Sequence, residues 1–207
     1  MTTDIVHIVR TGAANLASVC AALERAGAQP MVTDDATTIE TSPRVVLPGV
    51  GAFGPAMQHL RQRGIDRAVG RRIASDMPVL AVCLGLQLLL ESSEEAPGVD
   101  GMAIARGAAR RYPDDRSLRV PQIGWNRVTP RDGFTAATEG WAYFANSYRL
   151  TDPPPGWTVA TADYAGEFVA AMQKSPRVVA CQFHPELSGA WGASLVCRWL
   201  GAAGVKA

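Results

Sequence analysis

Cys83 is the residue in this sequence that is best placed to do chemistry. It ends the apolar run of residues 79–82, and Leu84 and Gly85 begin a helical pattern after it. This order predicts a sharp strand-to-helix turn, a nucleophile elbow, in which the side chain stands clear of the sheet edge. The unpaired N–H groups at the start of a helix favour a thiolate over a thiol. A buried, unreactive core cysteine is the alternative, because free cysteines are usually buried.

A base and a carboxylate follow a later apolar run, in the sequence His184-Pro185-Glu186. Residues two apart in an extended segment point to the same side, and Pro185 favours an extended backbone, so Glu186 can lie beside the imidazole of His184. A nucleophile, a base and a group that orients the base form the general triad arrangement. A His-x-Glu pair alone is common, so this interpretation depends on Cys83.

A glycine-rich segment, Gly49-Val50-Gly51-Ala52-Phe53-Gly54, satisfies G-x-G-x-x-G between a predicted strand and a predicted helix. A dinucleotide-binding loop of this kind belongs after the first strand, with an acidic residue closing the next strand. Here the loop follows the third predicted strand, and the next strand ends at Cys83. We therefore expect backbone N–H groups that bind a developing oxyanion, with a nucleotide loop and a simple turn as alternatives.

The first half of the chain alternates strands and helices, which positions these residues at one sheet edge. We predict strands at 5–9, 30–33, 44–47 and 79–82, and helices at 15–26, 55–72 and 86–91. Turn signals in the second half separate predicted strands at 141–145, 158–164, 168–172 and 177–183, before a helix at 189–200. The predicted fold is α/β: one domain over 1–207, with a central, mostly parallel twisted sheet, helices on both faces, and a smaller antiparallel portion in the second half.

Composition narrows the class of protein. The 207 residues are 47% hydrophobic and 19% charged, with a net charge of +1, so we expect neither a disordered chain nor nucleic-acid binding. Four separated cysteines suggest neither a zinc site nor a disulfide framework. The N-terminus lacks a signal-peptide pattern and no apolar stretch is long enough to span a membrane. We expect a cytoplasmic protein without a cofactor or a metal.

Five strings in the sequence together resemble class I glutamine amidotransferases. They are Cys-Leu-Gly-Leu-Gln at 83–87, Gln-Phe-His-Pro-Glu at 182–186, Leu-Pro-Gly-Val-Gly-Ala-Phe at 47–53, Ile-Gly-Trp-Asn at 123–126 and Tyr-Phe-Ala-Asn-Ser-Tyr at 143–148. The last three are similar to the glutaminase subunits of imidazole glycerol phosphate synthases. The resemblance covers nearly the whole chain and implies hydrolysis of glutamine to glutamate and ammonia through a cysteine thioester.

The resemblance implies a role for each matching residue. Cys83 is the expected nucleophile, His184 the general base and acid, and Glu186 the orienting carboxylate. The expected oxyanion hole consists of backbone N–H groups of Val50, Gly51 and Leu84. The expected glutamine-binding residues are Gly49, Gln87, Tyr143, Ser147 and Tyr148.

A partner is also implied by the resemblance. It is the (β/α)8-barrel cyclase subunit, which would form a heterodimer, receive the ammonia through its interior, and make imidazole glycerol phosphate and AICAR in histidine biosynthesis. The expected interface residues are Asn15, Pro121, Trp125 and Leu187. Leu187 stands where the family has a lysine, so a glutaminase of the same fold that serves a different acceptor synthase is the alternative. A regulatory nucleotide-binding module is a second alternative, based on the glycine loop.

Overall fold

The computed structural model describes residues 4–11, 16–49, 51–115 and 118–204. Two predicted site residues, Asn15 and Val50, lie outside these ranges, as does the predicted start of the first helix. The elements of the first half are β1 Asp4–Val9, α1 Ala17–Arg25, β2 Ala28–Thr33, α2 Ala36–Thr41, β3 Val45–Leu47, α3 Phe53–Gln62, α4 Ile65–Ala74, β4 Val79–Val82 and α5 Leu84–Leu88.

The second half is richer in strands. Its elements are β5 Ser92–Ser93, β6 Ala108–Arg111, β7 Gln122–Pro130, β8 Gly140–Asn146, β9 Tyr148–Arg149, β10 Thr158–Asp163, β11 Glu167–Ser175, β12 Val178–Cys181, a 3₁₀ turn at Pro185–Leu187 and α6 Gly189–Gly204. Within the described ranges, no helix is both long and apolar enough to cross a membrane.

Nine strands form one sheet in the order β2-β1-β3-β4-β12-β11-β10-β7-β8. The pairings from β2 to β12 are parallel, and those from β12 to β8 are antiparallel. The predicted α/β class is confirmed, and the antiparallel strands continue the parallel sheet rather than forming a separate layer. The short strands β5, β6 and β9 form a second, small sheet.

Alternate residues of the central strands face two different cores. On one face, Ala81 of β4 belongs to the cluster that contains Met57 of α3. On the other, Val82 of β4 belongs to the cluster that contains Leu23 of α1 and Leu195 of α6. Helices therefore cover both faces of the sheet, and the parallel neighbours β4 and β12 end side by side at its carboxyl edge.

One predicted helix is wrong. Residues 55–72 form two helices, α3 and α4, because Gly64 between them adopts a φ of 68°, in the left-handed region that interrupts helical hydrogen bonding. Helix α3 also begins earlier than predicted, at Phe53. Pro55 falls in its first turn, where the missing N–H of a proline costs no intrahelical hydrogen bond.

Candidate active site

The backbone turns sharply at Cys83, between β4 and α5. Cys83 has φ 50° and ψ −108°, a conformation that costs a residue with a Cβ about 1–3 kcal/mol. Hydrogen bonds hold it there: its N–H donates to the carbonyl of Cys181 (2.7 Å), and its own carbonyl accepts from the N–H groups of Leu86 (3.0 Å) and Gln87 (3.3 Å). The first N–H groups of a helix have no intrahelical acceptor, so that of Leu84 is available beside the sulfur.

Two glycines allow the close packing of this turn. A Cβ on Gly49 would lie 1.9 Å from the carbonyl oxygen of Val82 and 2.5 Å from the nitrogen of Leu84. A Cβ on Gly85 would lie 2.2 Å from the carbonyl oxygen of Leu47. Gly51 adopts a φ of 111°, which L side chains rarely adopt. The glycine loop therefore lies directly against the turn that carries Cys83.

The imidazole of His184 lies between Cys83 and Glu186. Its Nδ1 is 2.9 Å from Oε1 of Glu186, whose side chain is 7% exposed. Burial lowers the pKa of His184, but hydrogen bonds to Cys83 and Glu186 and the charges of both residues outweigh it and raise the pKa to about 10. At neutral pH the arrangement therefore favours the protonated, imidazolium form of His184.

Strand β8 fixes the backbone around the base. The N–H of His184 donates to the carbonyl of Tyr143 (2.9 Å). Ser188 completes this contact, because its Oγ accepts from the N–H of Tyr143 (2.9 Å) and donates to the carbonyl of His184 (2.6 Å). Tyr143 thus contributes its backbone here, and the structure does not place its side chain in the pocket with the predicted glutamine-binding residues. Its ring packs edge-on against Trp125, with centroids 6.2 Å apart.

Cys83 and His184 open into a pocket of about 440 Å³. Its lining includes most of the residues predicted for the oxyanion hole and for glutamine binding, together with four that were not predicted to bind glutamine. The first group is Gly49, Gly51, Leu84, Gln87, Ser147 and Tyr148, and the second is Glu95, Ala145, Asn146 and Leu187. Residues from both halves of the chain therefore form one concave site, the common form of a small-molecule site.

The structure adds three polar residues to this site that the sequence reasoning did not assign: Glu95 and Asn146 in the pocket lining, and Gln182 beside Cys83. Glu95 lines the pocket and accepts the N–H of Phe53 through Oε2 (3.0 Å), which ties the start of α3 to the pocket wall. Gln182 is fully buried and places its Nε2 3.5 Å from the sulfur of Cys83. Asn146 and Gln182 occur within strings that resemble the family, but nothing in the spacing of these three residues indicated a role.

Exposed apolar side chains occur in the pocket lining and on β7, whose Ile123 pairs with the pocket residue Ala145 of β8. Leu187 lines the pocket and is 45% exposed, and Ile123 and Trp125 on β7 are 56% and 55% exposed. Pro121 precedes β7 after a cis peptide bond and is exposed. Across the described residues, no group of three or more potential metal ligands is clustered closely enough to hold an ion.

Comparison with known proteins identifies the family. The model of the class I glutamine amidotransferase family matches residues 8–196. The imidazole glycerol phosphate synthase subunit HisH of Symbiobacterium thermophilum is 40% identical over 196 residues, which cover 93% of this chain and 91% of that protein. The subunit of the same name from Synechococcus sp. (strain JA-2-3B'a(2-13)) is 38% identical over 189 residues, covering 89% of this chain and 86% of that protein.

Solved structures agree with this fold. A crystal structure of a glutamine amidotransferase superposes with a TM-score of 0.76 at 18% identity, over 96% of this chain and 99% of the other. PurLQS from Thermotoga maritima superposes with a TM-score of 0.73 at 16% identity, over 97% and 99%. At such identities the superpositions show the fold alone, whereas the sequence matches show the family. The chain belongs to the class I glutamine amidotransferases and, within them, to the HisH subunits of imidazole glycerol phosphate synthase.

Proposed function

We propose that this chain hydrolyses glutamine to glutamate and ammonia through a thioester on Cys83. The observation that carries the proposal is the strained turn at Cys83, which lies beside the His184–Glu186 pair at the wall of one pocket. Strain at a residue with a Cβ persists only where the surrounding structure enforces it, and it concentrates at functional sites.

In the first half of the reaction, the Cys83 thiolate attacks the side-chain carbonyl carbon of glutamine. A carbon–sulfur bond forms, and the carbonyl π electrons move to the oxygen. The N–H of Leu84 and the glycine loop at Val50 and Gly51 donate to this oxyanion. The imidazolium of His184 then transfers its proton to the amide nitrogen, the carbon–nitrogen bond breaks, and ammonia leaves.

In the second half, the neutral imidazole of His184 takes a proton from a water molecule. The resulting hydroxide attacks the thioester carbon, the carbon–sulfur bond breaks, and glutamate leaves while the Cys83 thiolate is restored. Glu186 holds Nδ1 throughout, so that Nε2 stays directed at the reacting atoms and the imidazolium is stabilised each time it forms. The cycle consumes one water and needs no cofactor.

The pocket has groups for both ends of the substrate. Its volume of about 440 Å³ suits a small ligand such as an amino acid. Ser147, Tyr148, Gln87 and Glu95 all line the pocket, which supports a model in which they hold the α-amino and α-carboxyl groups. The side-chain amide of glutamine would then extend toward Cys83.

We further propose that the ammonia passes to a (β/α)8-barrel cyclase subunit, bound as a heterodimer, that makes imidazole glycerol phosphate and AICAR in histidine biosynthesis. The relatives' names support a synthase complex, since each is a subunit of imidazole glycerol phosphate synthase. The exposed apolar side chains of Ile123 and Trp125 on β7, and of Leu187 in the pocket lining, support such a partner surface. We place the reaction in the cytoplasm, because all four cysteines are free.

The test is a glutaminase assay on the chain alone and on the chain with the barrel subunit and its nucleotide substrate. We expect slow turnover alone and much faster turnover in the complex, because an oxyanion loop that is out of place removes a donor that typically contributes ~3 kcal/mol. Equal rates under the two conditions would refute the coupling to a partner.

Cys83→Ala should abolish glutamine turnover and leave synthesis from free ammonia intact. Activation by a different acceptor synthase would favour the alternative partner.

A further inference from the structure

A backbone carbonyl fixes the orientation of two buried amides behind the nucleophile. Nε2 of Gln87 lies 3.1 Å from the carbonyl oxygen of Tyr148. A carbonyl oxygen only accepts, so Gln87 must present its NH2 group on this side. The same nitrogen lies 3.0 Å from Oε1 of Gln182, to which it donates its second hydrogen. Gln182 must therefore present its oxygen to Gln87.

The orientation of Gln182 then decides what faces the sulfur. With its oxygen turned to Gln87, its NH2 group points to Cys83, and Nε2 lies 3.5 Å from Sγ. Gln182 is fully buried, so no solvent competes for either contact. It lies between the end of β12 at Cys181 and the base His184, two residues further on.

We infer that Gln182 is a positioning residue: its amide donates a hydrogen bond to the Cys83 sulfur and holds Gln87 with its oxygen free to accept from glutamine. The first effect stabilises the thiolate and fixes its direction of attack, since hydrogen bonds to charged groups are the strong ones. The second effect follows because Gln87 donates both of its amide hydrogens within the protein, one to the carbonyl of Tyr148 and one to Gln182. Its Oε1 remains as an acceptor, which suits the α-ammonium group of an amino acid.

Other titratable groups also face the sulfur. His184 hydrogen-bonds to it, Cys181 and Tyr112 are its electrostatic neighbours, and Glu95 lines the same pocket. The experiment must separate the contribution of Gln182 from theirs. The inference also rests on the proposed role of Cys83 as the nucleophile, which the alkylation rate of Cys83 in the wild-type protein tests by itself.

The experiment compares Gln182→Glu and Gln182→Leu with the wild type. Glutamate has the same shape and keeps an acceptor for Gln87, but in its ionised form it has no donor for the sulfur. Leucine removes both functions. Gln173→Leu is the matched control, because Gln173 is also buried and accepts two backbone N–H groups, of Thr135 (2.9 Å) and Ala136 (2.8 Å), without contacting Cys83.

The first measurement is the rate at which iodoacetamide alkylates Cys83 between about pH 5 and 9, followed by peptide mass so that the other cysteines are resolved. We expect both Gln182 variants to react about tenfold more slowly than the wild type near about pH 6, the size of effect that one charge-assisted hydrogen bond supports. Gln173→Leu should follow the wild-type profile even if it is equally destabilised. Wild-type profiles in both Gln182 variants would overturn the inference.

The second measurement is glutaminase kinetics in the complex with the barrel subunit. Gln182→Leu should raise KM for glutamine about tenfold as well as lower kcat, whereas Gln182→Glu should lower kcat with KM within about threefold of the wild type. Equal KM values for the two variants would overturn the proposed orientation of Gln87. If wild-type Cys83 reacts no faster than exposed Cys197 at about pH 6, the nucleophile itself is wrong, and the inference falls with the proposed function.

Discussion

Replacing Gly49 with alanine would place a methyl carbon inside the turn at Cys83. The added carbon would lie 1.9 Å from the carbonyl oxygen of Val82, 2.5 Å from Cβ of Cys83 and 2.5 Å from the nitrogen of Leu84. Non-bonded atoms rest about 3.5 Å apart, so the backbone would have to separate by roughly 1.5 Å. None of these three atoms is at the end of a flexible side chain, so the strands themselves must move.

We expect Gly49→Ala to lose about 3 kcal/mol of stability, the upper end of the usual cost of overpacking, because the contacts are with backbone. In a chain of this size that corresponds to a fall of about 6–12 °C in Tm. The methyl group would also occupy the space in front of the Leu84 N–H. Loss of one oxyanion donor should lower kcat by about 10²–10³-fold. Thermal unfolding and glutaminase assays in the complex measure the two effects.

Gly70→Ala is the matched control. Gly70 lies inside α4, and a Cβ there would meet only Cδ1 of Ile104, at 4.0 Å. Alanine in a helix interior is more stable than glycine by about 0.5–1 kcal/mol, so this variant should gain stability and keep its activity. If Gly49→Ala matched the control in both Tm and kcat, close packing of the glycine loop against the turn could not be what positions Cys83.

Four further changes test separate parts of the site. Cys83→Gly should be more stable to urea than Cys83→Ala by about 1 kcal/mol, because glycine relieves the strained φ at some cost in chain entropy; equal stability would show that the turn stores no strain. Glu186→Gln should lower kcat by about 10²–10⁴-fold with KM nearly unchanged, and a loss below tenfold would contradict the orienting role. The pKa of His184 is raised from 6.5 to about 10 in the folded state, so its stabilising contribution is complete below about pH 6.5 and is lost as the pH rises through about 10. The difference in unfolding free energy between the wild type and His184→Asn should therefore shrink between about pH 6.5 and 10, whereas a constant difference would exclude the charged pair. Trp125→Ala should weaken binding of the barrel subunit by about 2 kcal/mol or more in calorimetry, whereas Met31→Ala, an exposed change on edge strand β2, should not; equal effects would place the interface elsewhere.

The parallel half of the fold could be predicted because its strands are continuous apolar runs. Strand β4 has the predicted bounds, since every residue of it is buried and the pattern has no exception. Helix α2 was not predicted. It has only six residues, three of them threonine, and its one clear start signal is the capping contact in which Asp35 accepts the N–H of Thr38 (2.7 Å). Strand β7 was not predicted either, because a glycine inside a run of residues weakens the pattern of a strand. Gly124 lies within β7 and has a φ of 135°.

The candidate site was predictable where local sequence alone shapes the backbone. The order of a strand, Cys83 and a helix indicated the turn. His184 and Glu186 are in contact as predicted, but the predicted extended segment is wrong, because a 3₁₀ turn at Pro185–Leu187 brings the two side chains together. The roles of Gln182 and Tyr143 could not be predicted in this way. Their contacts to Cys83 and His184 depend on which strands are neighbours and in what register, and this information is absent from local patterns.

The placement of Cys83 and His184 after two adjacent strands has a consequence for synthesis of the chain. Strand β12 pairs with β4, although most of the second half of the sequence separates them. Contacts between distant parts of a chain form late in folding, and domains generally fold as units during or after translation. A nascent chain that has emerged only as far as β11 therefore contains its thiol without its imidazole. It cannot release ammonia in the absence of a completed fold, so the onset of glutaminase activity during translation would report the docking of β12.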